Sequence, residues 1–109
     1  MEIKNVYIFN CGVNENGIKI INDIDSLKEF LIDAPVCVNN TVIGIVAEVT
    51  DVIGDKIYGT VLYFEDEYKE YKYFKNYEVQ ADINFEYNRE EDITELIINN
   101  ISAIYLTNN

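Results

Sequence analysis

Ten consecutive residues alternate without a break. Glu78, Gln80, Asp82, Asn84 and Glu86 are polar, and Val79, Ala81, Ile83, Phe85 and Tyr87 between them are apolar. Side chains of a strand point to opposite faces with a period of two, so this segment is predicted to be a strand with one face on a core and the other in water. An arrangement of that kind belongs to an antiparallel sheet, and the rest of the chain is read around it.

Val6 to Cys11 (VYIFNC) reads as a strand, being rich in β-branched and aromatic residues. Asn16-Gly17 accepts the positive φ that a tight hairpin needs, which makes Ile18 to Ile21 the expected return strand. One short helix is predicted next. Ser26 is its expected cap and Glu29 completes a capping box, Leu27, Phe30 and Leu31 make one apolar stripe, and Pro35 is the expected stop. From Val36 the pattern is β: a short strand Val36 to Val38, a turn at Asn39-Asn40, and a nearly continuous apolar run Val42 to Val49, as in a strand covered on both faces. Gly44 and Gly59 mark bends, and Gly54-Asp55 is a hairpin signal between Val52-Ile53 and the strand Ile57 to Phe64. Glu90 to Asn100 reads equally as helix or strand, and Ile101 to Thr107 closes the chain as a strand. The chain is therefore expected to be mainly β (β-rich α+β): a small, partly closed antiparallel barrel or sandwich with one short helix. Its 109 residues form a single domain, 1–109, large enough to bury roughly two-thirds of the surface an unfolded chain exposes.

Charge limits the partners. Twenty Asp and Glu against eight Lys and Arg give a formal net charge of −12. A nucleic-acid phosphate is a poor partner for such a chain, and a basic protein surface is a good one. The chain has no histidine, which removes the usual general base and the commonest metal ligand. Ser26 and Ser102 lack a histidine partner, Cys11 and Cys37 stand among apolar residues as small buried thiols, and two cysteines alone do not make a zinc site. Scattered glycines meet no phosphate-loop spacing. No catalytic set, no cofactor and no dedicated metal site are expected, and the reading is that of a non-enzyme. The N-terminus has no signal-peptide pattern and no apolar run spans a membrane, so neither a secreted nor a membrane-spanning protein is expected.

Two sets of residues are candidates for contact. The segment Glu65 to Tyr77 (EDEYKEYKYFKNY) interleaves Tyr68, Tyr71, Tyr73, Phe74 and Tyr77 with acids and lysines, and Tyr63 stands just before it. Tyrosine offers a large rigid contact area with a polar tip, which suits a protein interface. Glu65, Asp66, Glu67 and Glu70, with Glu90, Glu91 and Asp92, form the expected acidic surface.

The stretch Pro35 to Tyr63 (PVCVNN…IGIV…GDKIYGTVLY) and the ending Ile101 to Asn109 (ISAIYLTNN) resemble fragments of bacteriophage prohead-protease-type β-barrel domains, in which a strand ending in Ser-x-Leu-Thr closes the barrel. The family's catalytic serine and histidines have no counterparts in this chain. The resemblance implies a phage head-gene neighbourhood, a barrel without proteolysis, and a location in the virion or the host cytoplasm. Two functions are expected on these grounds. The first is a capsid accessory or decoration protein, or another virion assembly subunit, acting through protein contacts, with a homo-oligomer left open. The alternative is an acidic nucleic-acid mimic that occupies the basic channel of a host defence nuclease, as anti-CRISPR and anti-restriction proteins do.

Overall fold

Strands dominate the chain. The structure is a computed structural model, and residues 1–12, 17–67 and 77–108 are described here. In chain order the elements are β1 (Glu2–Asn10), β2 (Ile18–Ile20), α1 (Ile24–Leu31), β3 (Pro35–Val38), β4 (Thr41–Ile53), β5 (Lys56–Tyr63), β6 (Tyr77–Glu90) and β7 (Ile93–Asn108). A further short helical stretch occupies 65–67. The fold is mainly β, and among the described residues seven strands form one sheet curled into a half-barrel.

Across the sheet the order is β1-β5-β4-β3-β7-β2, and β6 pairs with β7. β7 is the spine. β6 runs antiparallel along its whole length, from Tyr77↔Asn108 to Glu90↔Ile93. On its other flank lie two short parallel strands, β3 beside Ile104 to Leu106 and β2 beside Thr94 to Leu96. The curl brings β1 back towards β6, but among the described residues the two do not pair, which leaves an open seam.

Local chemistry explains the curl. Gly54 and Asp55 close the β4–β5 hairpin between Ile53 and Lys56, with Gly54 at φ 59°. Gly44 and Gly59 lie where neighbouring strands come too close for a side chain. A Cβ at Gly44 would stand 2.5 Å from the Leu62 carbonyl oxygen, and one at Gly59 2.5 Å from that of Glu48. Bulges beside these positions sharpen the bend, as extra residues in a ladder do.

The core fills the concave side. Ile8, Val36, Val46, Ile57, Val61 and Ile104 are fully buried. From α1, Leu27 and Leu31 are buried completely, where the helix packs on β4 and β7. Each such side chain contributes roughly 1.5–3 kcal/mol relative to exposure, far more than the propensity of a two-turn helix supplies. Thr60 is a buried polar residue, and its hydroxyl donates to Glu48 Oε1 at 3.1 Å. Among the described residues no buried side-chain polar atom lacks a partner.

Four local expectations are corrected. Ile18–Ile20 is not the return strand of a hairpin from β1. β1 pairs with β5 instead, and Gly17, at φ 75°, steers the chain onto β7 by accepting a hydrogen bond from the Thr94 N–H. The helix cap is Asp23, not Ser26: the Asp23 carboxylate accepts from the Ser26 N–H at 2.8 Å, one turn earlier than the capping-box reading placed it. The helix ends at Leu31 because the chain turns through Asp33 at φ 68°, and Pro35 opens β3 rather than stopping α1. β4 is covered on both faces only over its middle, since Val42 is 43% exposed and polar residues alternate outward after Val46.

Candidate functional site

The β6–β7 hairpin is where the fold gathers charge. Glu78, Asp82, Glu86, Glu90, Glu91, Asp92 and Glu95 face a single cation, Arg89, within it, so the hairpin alone carries half of the chain's −12. Residues directly opposite in an antiparallel ladder share a face, and the register therefore sorts these groups. One face holds Glu78, Gln80, Asp82, Asn84, Glu86, Asn88 and Glu90 of β6, an acid and an amide in strict alternation. Glu95 joins them opposite Asn88. Arg89 lies on the other face with Phe85 and Tyr87, so the β6 row contains no cation. Lys19, on β2, lies beside Glu95 across β7 from the row.

Strand geometry sets the scale of the row. Residues on one face repeat about every 6.7 Å, so the four β6 carboxylates stand about 13 Å apart and span about 40 Å. The molecule is 47 Å long, so the row runs most of its length. At physiological ionic strength charges separated by more than about 8 Å are largely screened from one another. The row is thus dense enough to attract a basic surface and sparse enough to repel itself little.

The opposite face is apolar and changes character along its length. Val79, Ala81 and Ile83 are half-buried against Leu106, Ile104 and Ile101. Beyond Ile83 the cover ends. Phe85 is 46% and Tyr87 71% exposed, although they lie opposite the buried Ile98 and Leu96. Here the seam widens into a groove of about 400 Å³, with Phe9 and Gly12 from the end of β1 on one side and Ile18, Ile20, Ile83, Phe85 and Leu96 on the other. A shallow recess at the hairpin tip is lined by Glu90, Glu91, Ile93 and Glu95. Among the described residues no group of three or more acids or cysteines is placed to hold a metal ion.

The residues singled out in the sequence fare unequally. Tyr63 is buried in the core rather than exposed for contact. It is 8% exposed on the core side of β5, and its backbone is tied to Met1, which both donates to it and accepts from it. Tyr68, Tyr71, Tyr73, Phe74 and Glu70 lie outside the described residues, and of Tyr77 only the backbone, at the start of β6, is described. Glu65 and Asp66 are exposed and Glu67 is half-buried in the 65–67 helical stretch. Glu90, Glu91 and Asp92 are exposed at the β6–β7 turn, with Glu91 at φ 52°. Of the acids on the face, Glu78, Asp82 and Glu86 are legible in the sequence as the wet side of a strand, whereas Glu95 falls in the segment that reads equally as helix or strand. An acid at every fourth residue from Glu78 to Glu90 places those four on a single face, and Glu95 joins them only through the β6–β7 register.

The two thiols are free and do not resemble activated nucleophiles. Cys37 is buried in β3 and Cys11 is half-buried beside Asp55, whose carbonyl accepts from its Sγ at 3.4 Å. Burial pushes both thiols up, and the Asp55 charge adds to the effect at Cys11. Among the described residues no helix is long and apolar enough to cross a membrane. Neither a protein-family model, a curated protein nor a solved structure matches the chain.

Proposed function

We propose that this protein is a non-enzymatic binding module that sets the acidic face of β6 against a basic surface of a partner protein, of the kind that otherwise holds nucleic acid. The observation that carries this reading is the row Glu78, Asp82, Glu86 and Glu90, about 40 Å long by strand geometry, with no cation of β6 on the same face. A regular line of carboxylates presents to a channel lined with Lys and Arg the charge that a phosphate backbone presents, and such contacts weaken with salt. A host defence nuclease is the partner class this favours.

A second reading is favoured by a different observation. Phe85, Tyr87, Ile93 and Ile97 are large apolar residues exposed on one hairpin. Exposed aromatic and aliphatic anchors suit a standing protein interface, as in a virion assembly or capsid decoration subunit.

One experiment separates the two. The tagged chain and a variant with Glu78, Glu86 and Glu90 changed to Gln and Asp82→Asn are used to capture partners from host extract at low and high salt, with duplex DNA as competitor. Capture that DNA displaces, that salt weakens and that the variant loses supports the mimic. Capture that is indifferent to salt, DNA and the four substitutions overturns it. If such capture fails in Phe85→Ser and Tyr87→Ser, and the protein is found in purified particles, the assembly reading takes its place.

A further inference from the structure

β6 has a free edge as well as an acidic face. Among the described residues its 14 positions pair only with β7, and from Asn84 to Glu90 every residue is exposed. A strand edge of this kind presents unpaired N–H and C=O groups, which most proteins cover, shorten or twist away. The two faces flanking this edge differ in chemistry. Glu86 and Glu90 lie on one side, and Phe85, Tyr87 and the groove of about 400 Å³ lie on the other.

We infer that the outer half of β6 binds its partner by strand addition, taking an extended segment in which Lys or Arg alternates with apolar residues. The inference rests on the acidic-face reading above and names how that face engages. Main-chain hydrogen bonds to the free edge provide affinity, and alternate side chains provide specificity. The basic side chains of the added strand fall beside Glu86 and Glu90. Its apolar side chains fall beside Phe85 and Tyr87, where they cover the groove over Ile20 and Leu96.

Charge argues against a second copy of this chain as the occupant. Antiparallel self-pairing centred on Asn84 sets Asp82 opposite the other copy's Glu86 and Glu78 opposite its Glu90. Parallel pairing in register sets every acid beside itself. Like charges directly opposite destabilise a ladder, and each copy carries −12 in total.

The test uses the full chain, isotope-labelled for NMR, and a ten-residue peptide alternating lysine and valine. A twin of the peptide with every backbone nitrogen methylated keeps the charge and loses the main-chain donors. The unmodified peptide is expected to bind at least tenfold more tightly than the twin, and to slow amide exchange at alternating positions of 84–90 by tenfold or more. Phe85→Ala, at an exposed position, is expected to weaken that binding severalfold with the sheet's spectrum otherwise unchanged. Equal affinity for the two peptides overturns strand addition and leaves the acidic-face reading standing. Binding of neither peptide also overturns it, and the acidic-face reading falls too only if the carboxylate variant captures partners as well as the parent. A dimer in sedimentation that the peptide does not dissociate assigns the edge to a second copy and overturns it as well.

Discussion

The side chain of Asn22 pairs with the backbone of Ile98 as a further strand residue would. Its Nδ2 donates to the Ile98 carbonyl at 2.9 Å, and its Oδ1 accepts from the Ile98 N–H at 2.7 Å. The ladder between β2 and β7 has just ended, with the Ile21 N–H donating to the Leu96 carbonyl, and the chain is leaving the sheet to begin α1. Asn22 therefore satisfies both polar groups of Ile98 at the point where no backbone is left to do so. Asn22→Ala strands a donor and an acceptor on a residue that is itself 1% exposed, and such groups cost about 1–3 kcal/mol. Urea unfolding should show a loss of that size. Asn22→Asp should lose more at neutral pH, because a carboxylate then faces the Ile98 carbonyl, and should recover part of the loss in acid. Equal stability of Asn22→Ala and the parent would remove this pair from the account of the fold.

One residue on, Asp23 caps α1, and its pH dependence has a definite sign. The Ser26 N–H, followed by the Ser26 side chain, holds the Asp23 carboxyl below the usual aspartate range. A carboxylate whose folded pKa is depressed stabilises the fold above its unfolded pKa, and that contribution disappears as pH falls through the folded value. Asp23→Asn keeps a cap oxygen and removes the titration. The difference in urea midpoint between parent and Asp23→Asn should therefore shrink as pH falls below the aspartate range. A difference that stays constant from neutral pH to strong acid contradicts the assignment. Ser26→Ala, by contrast, should leave the backbone cap in place.

Glycines at the curl and at the turn should respond differently to alanine. Gly59 is surrounded, with the Glu48 carbonyl 2.5 Å and the Ile8 Cδ1 2.9 Å from where a Cβ would lie. Gly59→Ala must push β4 and β5 apart or displace Ile8 from the core, an overpacking cost of about 1–3 kcal/mol. Gly54 has open space around it and only its φ of 59° to defend. Gly54→Ala should cost about 1 kcal/mol, the left-handed penalty of a single residue. Thermal unfolding of the two variants checks the order, and a Gly54→Ala variant less stable than Gly59→Ala reverses the explanation.

The sequence makes some of this legible and hides the rest for physical reasons. Gly54-Asp55 and the alternation from Glu78 to Tyr87 are local signals, and both lie where they were read. β7 defeats period counting. Its inward residues are Leu96, Ile98, Ile101, Ile104 and Leu106, and the ladder skips a residue between Ile98 and Asn100 and again between Ile101 and Ala103. Each bulge turns a spacing of two into three, so a strand acquires the spacing of a helix. β2 is three residues long and its partner lies more than seventy residues away, a pairing no local pattern encodes. The acidic row was half legible. Glu78, Asp82 and Glu86 stand in plain alternation, but that Arg89 points away and Glu95 joins the row follows only from the β6–β7 register.

The same register allows function to be separated from stability in the carboxylate row. Two charges about 13 Å apart in water repel by about 0.3 kcal/mol, and salt at physiological strength reduces this about fivefold. Glu78, Asp82, Glu86 and Glu90 are all exposed, so amides in their place remove repulsion and should break no buried bond. The fourfold variant should gain less than about 1 kcal/mol at low salt and nothing measurable at physiological salt. If it instead loses more than that in urea unfolding, the carboxylates hold the hairpin together and the row is structural. If stability is unchanged while partner capture is lost, the row exists for the partner: four exposed acids at every fourth residue then have no role in holding the sheet and one in meeting a basic surface.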